Sequence, residues 1–254
     1  IRYAVEGPLA LVTIDRPEVL NALTSDGYAE LHAALDRFDA DDERRVAILT
    51  GAGGRAFSVG SDLRVSAARA DRDADDRLPM LVSEDAPPPR RRKPVIAAID
   101  GYCVGGGLEW ALQADIRVAT PRSSFGLPEP RTGSVAGFGL HVLSRLIPPT
   151  EALYLQITGM RIDAERALRC GLVQELVEPD RLLERCRELA AEILRCSPAA
   201  VAAIKATVDR QIRRDLDDSY AAARPDLDAL AAGDDAREGP RAFVEKRTPH
   251  WTGH

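Results

Sequence analysis

Short apolar runs separated by polar and glycine-rich breaks fill the first half of the chain, and helical spacing takes over in the second. Tyr3–Val5 and Leu9–Ile14 flank Glu6-Gly7-Pro8, a pattern that predicts two strands around a turn. Asp15-Arg16-Pro17 breaks the second strand. After Thr24, Ser25 and Asp26, any of which can cap, Tyr28, Leu31, Leu35 and Phe38 recur at helical spacing. Val46–Leu49 reads as a buried strand that stops at Gly51-Ala52-Gly53-Gly54, and a second glycine-bearing run, Phe57–Leu63, follows directly. Arg64–Lys93 is rich in Arg and Asp and then in Pro, with apolar residues only around Leu78–Val82; it predicts a mobile helix and loop. Val95–Ile99 is again a buried strand, followed by Gly105-Gly106-Gly107, a short helix and the strand Ile116–Ala119. From Leu140 onward helices are predicted over Glu151–Thr158, Ala164–Arg169, Pro179–Leu194, Pro198–Arg213, Leu216–Ala223 and Arg241–Lys246. The pattern predicts an α/β core with an appended helical layer, whose charged faces opposite Leu and Ala stripes suit subunit contacts.

Composition narrows the classes of function. The chain has 254 residues, 45% of them hydrophobic, enough for a proper core. No apolar run approaches the roughly 20 residues that span a bilayer. The start, IRYAVEGPLA, has neither Met nor a charged-then-apolar leader and reads as trimmed. Cys103, Cys170, Cys186 and Cys196 share no metal-type spacing, so reduced thiols, a cytoplasmic location and no metal site are expected. The net charge of −6 argues against a broad nucleic-acid surface. Arg90-Arg91-Arg92-Lys93 is the one basic run, either a solvated loop or a face toward an anionic group such as a nucleotide phosphate.

Two carboxylates carry the candidate chemistry. Glu109 lies in the first turn of a predicted helix, a place that favours a negative charge, yet its neighbours Val104, Leu108, Trp110, Ala111 and Leu112 are apolar. Glu129 is held between Pro128 and Pro130, which fix its direction. Brought to one site, two such groups separate into a base and an acid. The glycine turns around Gly60-Ser61 and Gly105-Gly106 each follow a strand, and two N–H groups converging there would form an oxyanion hole. Ordinary tight turns and a surface glutamate are the plainer alternatives. Gly51-x-Gly53-x-x-Ala56 only loosely matches a dinucleotide fingerprint and does not open a helix. Ser58 lacks a nucleophile elbow, and the four histidines have no triad or HExxH spacing.

Four segments together resemble the enoyl-CoA hydratase/isomerase (crotonase) superfamily over nearly the whole chain. They are Ile14-Asp15-Arg16-Pro17 with Asn21-Ala22-Leu23, GRAFSVGSDL at Gly54–Leu63, KPVIAAIDGYCVGGGLE at Lys93–Glu109, and EGPRAFVEKRTPHWTG at Glu238–Gly253. The resemblance implies a spiral of repeated strand-strand-helix turns over residues 1–195. A helical region over 196–254 would build trimers, often paired into hexamers. It implies an enoyl-CoA hydratase of fatty-acid metabolism: Glu109 and Glu129 hold the water, and the N–H groups of Ser61 and Gly106 bind the thioester oxygen. Arg16, Val59, Gly60, Asp62, Leu63, Phe243 and Lys246 match positions that line the CoA site, the last two often from a neighbouring subunit. The CoA thioester is then substrate, and no other cofactor is implied.

Several residues depart from the family pattern. Ser61 stands where the family usually has alanine or another apolar residue, and Ser134-Val135-Ala136-Gly137-Phe138 replaces a Pro-Gly-x-Gly-Gly run. Trp110, Pro130 and Phe138 are expected to reshape the acyl pocket, Phe138 by shortening it. An isomerase, a carnitinyl-CoA-type dehydratase and a non-catalytic CoA- or RNA-binding relative are the alternatives, the last resting only on Arg90–Lys93.

Overall fold

The computed structural model describes residues 1–62 and 87–253, so Leu63 and the helix expected around Leu78–Val82 lie outside the described residues. The ten strands of the described residues lie in two sheets. The strands β1 (Arg2–Glu6), β2 (Leu9–Ile14), β3 (Val46–Gly51), β5 (Val95–Ile99), β7 (Ile116–Ala119) and β10 (Glu175–Leu176) form a six-stranded sheet in that order. The strands β4 (Ala56–Ser58), β6 (Tyr102–Val104), β8 (Ser124–Gly126) and β9 (Arg161–Asp163) form a four-stranded one. Each pair β3/β4, β5/β6 and β7/β8 thus places one strand in each sheet, and the chain advances as a spiral. Among the described strand pairs, β1 with β2 and β8 with β9 run antiparallel and the rest are parallel.

The large sheet is covered on both faces, which is why its strands read as unbroken apolar runs. Ala47, Leu49, Ala97 and Ile99 face the main core with Leu31, Leu35 and Phe38 of α1 (Ser25–Ala40). Their alternates Val46, Ile48, Ile96 and Ala98 face Leu182, Cys186 and Ala190 of a later amphipathic helix. Thr24 is the residue that caps α1, its hydroxyl accepting from the N–H of Gly27.

Eight further helices are described: α2 (Gly106–Leu112), α3 (Gly137–Leu146), α4 (Pro149–Thr158), α5 (Ala164–Arg169), α6 (Leu182–Arg195), α7 (Pro198–Ile212), α8 (Leu216–Ala232) and α9 (Asp234–Glu245). The last two are longer than the sequence pattern suggests, because Pro225 and Pro240 lie inside them. Pro225 is exposed, so water can serve the carbonyl it leaves unpaired. Leu216 and Tyr220 of α8 join the main core beside Phe138 and Val142 of α3. Gly239 of α9 packs on the backbone of Thr132, where a Cβ would meet carbonyl atoms at 2.2 Å. The C-terminal helices therefore fold back over the turn Glu129–Thr132.

Candidate active site at the carboxyl edge of the small sheet

The strands β4, β6 and β8 are parallel neighbours, so their carboxyl ends open on one side. From those ends come Gly60-Ser61, Gly105-Gly106 and Glu129. Gly60 has φ +78°, and a Cβ there would lie 2.6 Å from the nitrogen of Gly106, so only glycine allows the two turns to meet. The first turn is anchored from below. Asn21, fully buried, donates through its side-chain amide to the carbonyls of Ala52 and Ala56, and Ser58 donates to the carbonyl of Asn21. Leu23 N–H donates to Gly60 O at 2.8 Å, and Asp62 N–H to Leu23 O at 3.0 Å. Successive strand N–H groups alternate in direction, so the N–H of Ser61 points away from Leu23. Gly106 opens α2, where the N–H groups of the first turn have no intrahelical acceptor.

Glu109 lies in the same first turn, only 4% exposed. Its Oε1 accepts from the N–H of Gly139 at 2.7 Å. That amide belongs to the first turn of α3, whose N-cap residue Ala136 offers no side-chain acceptor, so Glu109 supplies the cap from another helix. Glu129 opens the turn after β8. Its Oε1 lies beside Gly105, and its Oε2 is sealed from solvent with no hydrogen-bond partner among the described residues. Burial, then the charge of Glu109, pushes the Glu129 carboxyl up to about 8. The pair expected from the sequence is thus brought together, with one carboxylate held by a helix N-terminus and the other buried with one oxygen unpartnered among the described residues.

Tyr28 is the site residue that sequence reasoning missed. Its helical spacing marked it as core, and it is 3% exposed. Its hydroxyl lies 3.5 Å from Ser61 Oγ and fills the space where Gly106 would carry a Cβ. Burial raises its pKa, opposed by the Ser61 hydrogen bond and reinforced by Glu109 and Glu129, which keeps it a donor. The one hydroxyl in the apolar stripe Tyr28, Leu31, Leu35, Phe38 was the signal available.

The other expected residues fall into three groups. Arg16 donates to Ala22 O and reaches Asp62 at 3.9 Å, which joins the loop after β2 to Val59–Asp62. Phe138 is buried at the start of α3 and Pro130 sits in the turn of Glu129, whereas Trp110 lies wholly inside the core between Tyr28 and His32. Phe243 and Lys246, at the end of α9, face solvent. The basic run is largely committed within the chain: Arg91 to Asp36, Arg92 to Asp39, and Lys93 to the carbonyls of Phe38 and Asp41. No group of metal-binding side chains occurs among the described residues.

Residues 5–254 match the enoyl-CoA hydratase/isomerase family. The chain belongs to that family. A carnitinyl-CoA dehydratase of Salmonella arizonae is 38% identical, covering 100% of this chain and 98% of the relative. An (E)-benzylidenesuccinyl-CoA hydratase of Thauera aromatica is 37% identical over 100% and 99%. A carnitinyl-CoA hydratase structure from Mycobacterium avium superposes with a TM-score of 0.85 at 32% identity, over 100% and 98% of the two chains. The spiral of two sheets is therefore a crotonase fold, and the edge that gathers Ser61, Gly106, Glu109 and Glu129 is an intrinsic product of that spiral in this enoyl-CoA hydratase/isomerase family member.

Proposed function

We propose that this hydratase/dehydratase-type enzyme of the crotonase family adds water across the double bond of a 2-enoyl-CoA. The observation that carries the reading is the pairing of two buried carboxylates in opposite environments beside two converging backbone turns. Glu109, fixed by the Gly139 N–H, takes a proton from water as the oxygen bonds to C3. Glu129, protonated at neutral pH, gives its proton to C2. The electron pair of the double bond passes through the thioester carbonyl, whose developing charge is met by the N–H groups of Ser61 and Gly106. Each such donor is typically worth about 3 kcal/mol. The two carboxyl groups end with exchanged protonation, and solvent exchange resets them. Dehydration is the same path reversed.

Arg16 with Val59, Gly60 and Asp62 supports the CoA moiety, with Leu63 following in sequence. Phe243 and Lys246 serve a neighbouring subunit's site, in a trimer or a hexamer. The exposed Ile157, at 72%, and Ile204, at 65%, support such an assembly. Unpaired cysteines and the lack of any described helix long and apolar enough to cross a membrane fit a cytoplasmic enzyme of fatty-acid metabolism. The test is loss of enoyl-thioester absorbance on mixing with crotonyl-CoA and longer 2-enoyl-CoAs. Rapid loss, abolished by Glu109→Gln, supports hydration; undiminished hydration in that variant removes Glu109 from the mechanism. Hydration lost while double-bond migration persists turns the reading to isomerisation.

A further inference from the structure

Beyond the two carboxylates, α3, α7 and α8 bring together polar groups that water addition to a plain enoyl chain does not use. Tyr220 of α8 stacks on His141 of α3, ring centroids 3.9 Å apart, and the neighbouring Ser219 fixes that imidazole with a 2.8 Å hydrogen bond to Nδ1. The Tyr220 hydroxyl is buried and has no hydrogen-bond partner among the described residues. Burial raises its pKa, and the charges of Glu109 and Arg213 act on it with opposite sign. A buried hydroxyl left unpaired is costly, which makes it a receptor for a polar group that arrives with a ligand.

Arg213 closes α7. Its Cζ lies 5.6 Å from the ring centroid of Phe138, and its Nη1 donates to the carbonyl of Pro88. No carboxylate pairs with this half-buried guanidinium among the described residues. Asp209, one turn earlier, is shared with Lys205 at 3.8 Å. Burial lowers the Arg213 pKa, Asp209 opposes that, and Arg90 and Arg91 add to it, so three guanidinium groups share one neighbourhood. Arg91 has Asp36 at 3.3 Å but leaves its Nε buried and unpartnered, and Arg90 has no ion-pair partner among the described residues. This cluster beside Phe138, the residue expected to shorten the acyl pocket, is thus short of negative charge.

We propose that the acyl group this enzyme accepts carries a carboxylate, received by the Arg213 guanidinium and the Tyr220 hydroxyl beside Phe138, and that an acyl group ending in a quaternary ammonium is disfavoured. The proposal rests on the acyl-CoA reading above. An anion there completes a charge-assisted hydrogen bond to a partly desolvated fork. A quaternary ammonium would instead add another positive charge, and the aromatic face that attracts such a cation is already covered by Arg213.

Binding of saturated, unreactive acyl-CoA esters tests this apart from any catalysis. Succinyl-, glutaryl- and adipyl-CoA are titrated by calorimetry against butyryl-, hexanoyl- and 4-trimethylammoniobutyryl-CoA. The wild-type protein is expected to bind at least one of the carboxylate esters about tenfold or more tighter than its uncharged counterpart, and the ammonium ester weakest. Arg213→Gln is expected to bring the ratio near one and Arg213→Glu to invert it toward the ammonium ester. Arg210→Gln, an equal loss of charge on the exposed side of α7, is expected to keep the ratio. Should Arg213→Gln melt, Tyr220→Phe, which removes only the hydroxyl, still lowers the ratio severalfold. Equal binding of carboxylate and uncharged esters by the wild type, or a ratio that survives in Arg213→Gln, overturns the proposal. Esters that bind with this preference but are never hydrated as their 2-enoyl forms overturn the hydratase reading alone; no binding of any ester overturns both.

Discussion

The two sheets of this molecule are wound from the same chain, yet they are built in different ways. The six-stranded sheet uses strands of five or six residues at its centre, buried on both faces by aliphatic side chains. Packing carries it, and the buried polar groups described within it are spent on structure: Thr50 donates to the carbonyl of Ala98, and Arg117 of β7 to the carbonyls of Leu172 and Ala114. The four-stranded sheet has strands of three residues, and its carboxyl edge is made of glycines at positive φ and carboxyl groups removed from water. Such an edge holds its shape only because the large sheet, one step earlier on every turn of the spiral, fixes where each short strand begins. Stability and chemistry are thereby housed apart, and mutations can separate them.

The largest separation is expected from the carboxylates. Glu109→Gln and Glu129→Gln keep volume and remove acid/base capacity, so each is expected to lower kcat for hydration about 10²–10⁴-fold. Glu129→Gln should not lower the melting temperature, and Glu109→Gln, which keeps an oxygen for the Gly139 N–H but loses the charge at the start of α3, should lower it only slightly, which differential scanning calorimetry beside the crotonyl-CoA assay will read. Leu49→Ala, in the large sheet, is expected to do the reverse. A cavity in a core strand costs about 2–5 kcal/mol of stability, while kcat measured well below the melting transition stays within about threefold. A Leu49→Ala enzyme that folds but loses catalysis would show that the two sheets are not separable.

How far each sheet was legible in the sequence follows the same division. Val46–Leu49, Val95–Ile99 and Ile116–Ala119 announced the large sheet because a strand buried on both faces is an uninterrupted apolar run. The short strand Tyr102–Val104 went unpredicted, since three residues show no periodicity and the neighbouring glycines read as a turn. The helical layer was foreseen as a set of amphipathic stretches, but the prolines at 225 and 240 looked like boundaries, and only tertiary packing carries the helices through them. At the site, both glutamates and both glycine turns were visible through local chemistry. Tyr28 and Gly139 were not, because each acts through a partner at least 30 positions away in sequence.

Protonation of Glu129 offers a finer comparison within the active edge. Its carboxyl is pushed to about 8, mainly by burial and then by Glu109, well above the 4.5 of a free glutamate. Below pH 4.5 the group is neutral whether the chain is folded or not, and its environment costs nothing. As the pH rises toward 8 the unfolded chain ionises freely and the folded one resists, so stability falls across that window and levels off above it. Glu129→Gln is therefore expected to melt higher than the wild type at pH 8–9 and to converge with it near pH 4.5. Hydration by the wild type should decline above pH 8 as the acid loses its proton. Equal melting curves at both ends of the range would mean that the carboxyl is hydrated in solution.

The smallest expected effect concerns Tyr28, where the active edge meets the core helix α1. Tyr28→Phe removes one oxygen and leaves the ring stacked on Trp110, so it should cost little stability. The hydroxyl sits against Ser61 and Gly106, the two residues whose N–H groups are proposed to meet the thioester oxygen, and its loss removes a donor from their immediate surroundings. A donor that serves the developing charge indirectly is worth less than one aimed at it, so kcat should fall about threefold to tenfold with KM nearly unchanged, below the loss typical of an oxyanion donor. The absorbance of a bound push-pull cinnamoyl-CoA, whose spectrum shifts to the red as its carbonyl is polarised, reads this without turnover. A smaller red shift in Tyr28→Phe at unchanged affinity ties the hydroxyl to carbonyl polarisation. An identical shift returns Tyr28 to the core, as a residue that fills space above Gly106 and nothing more.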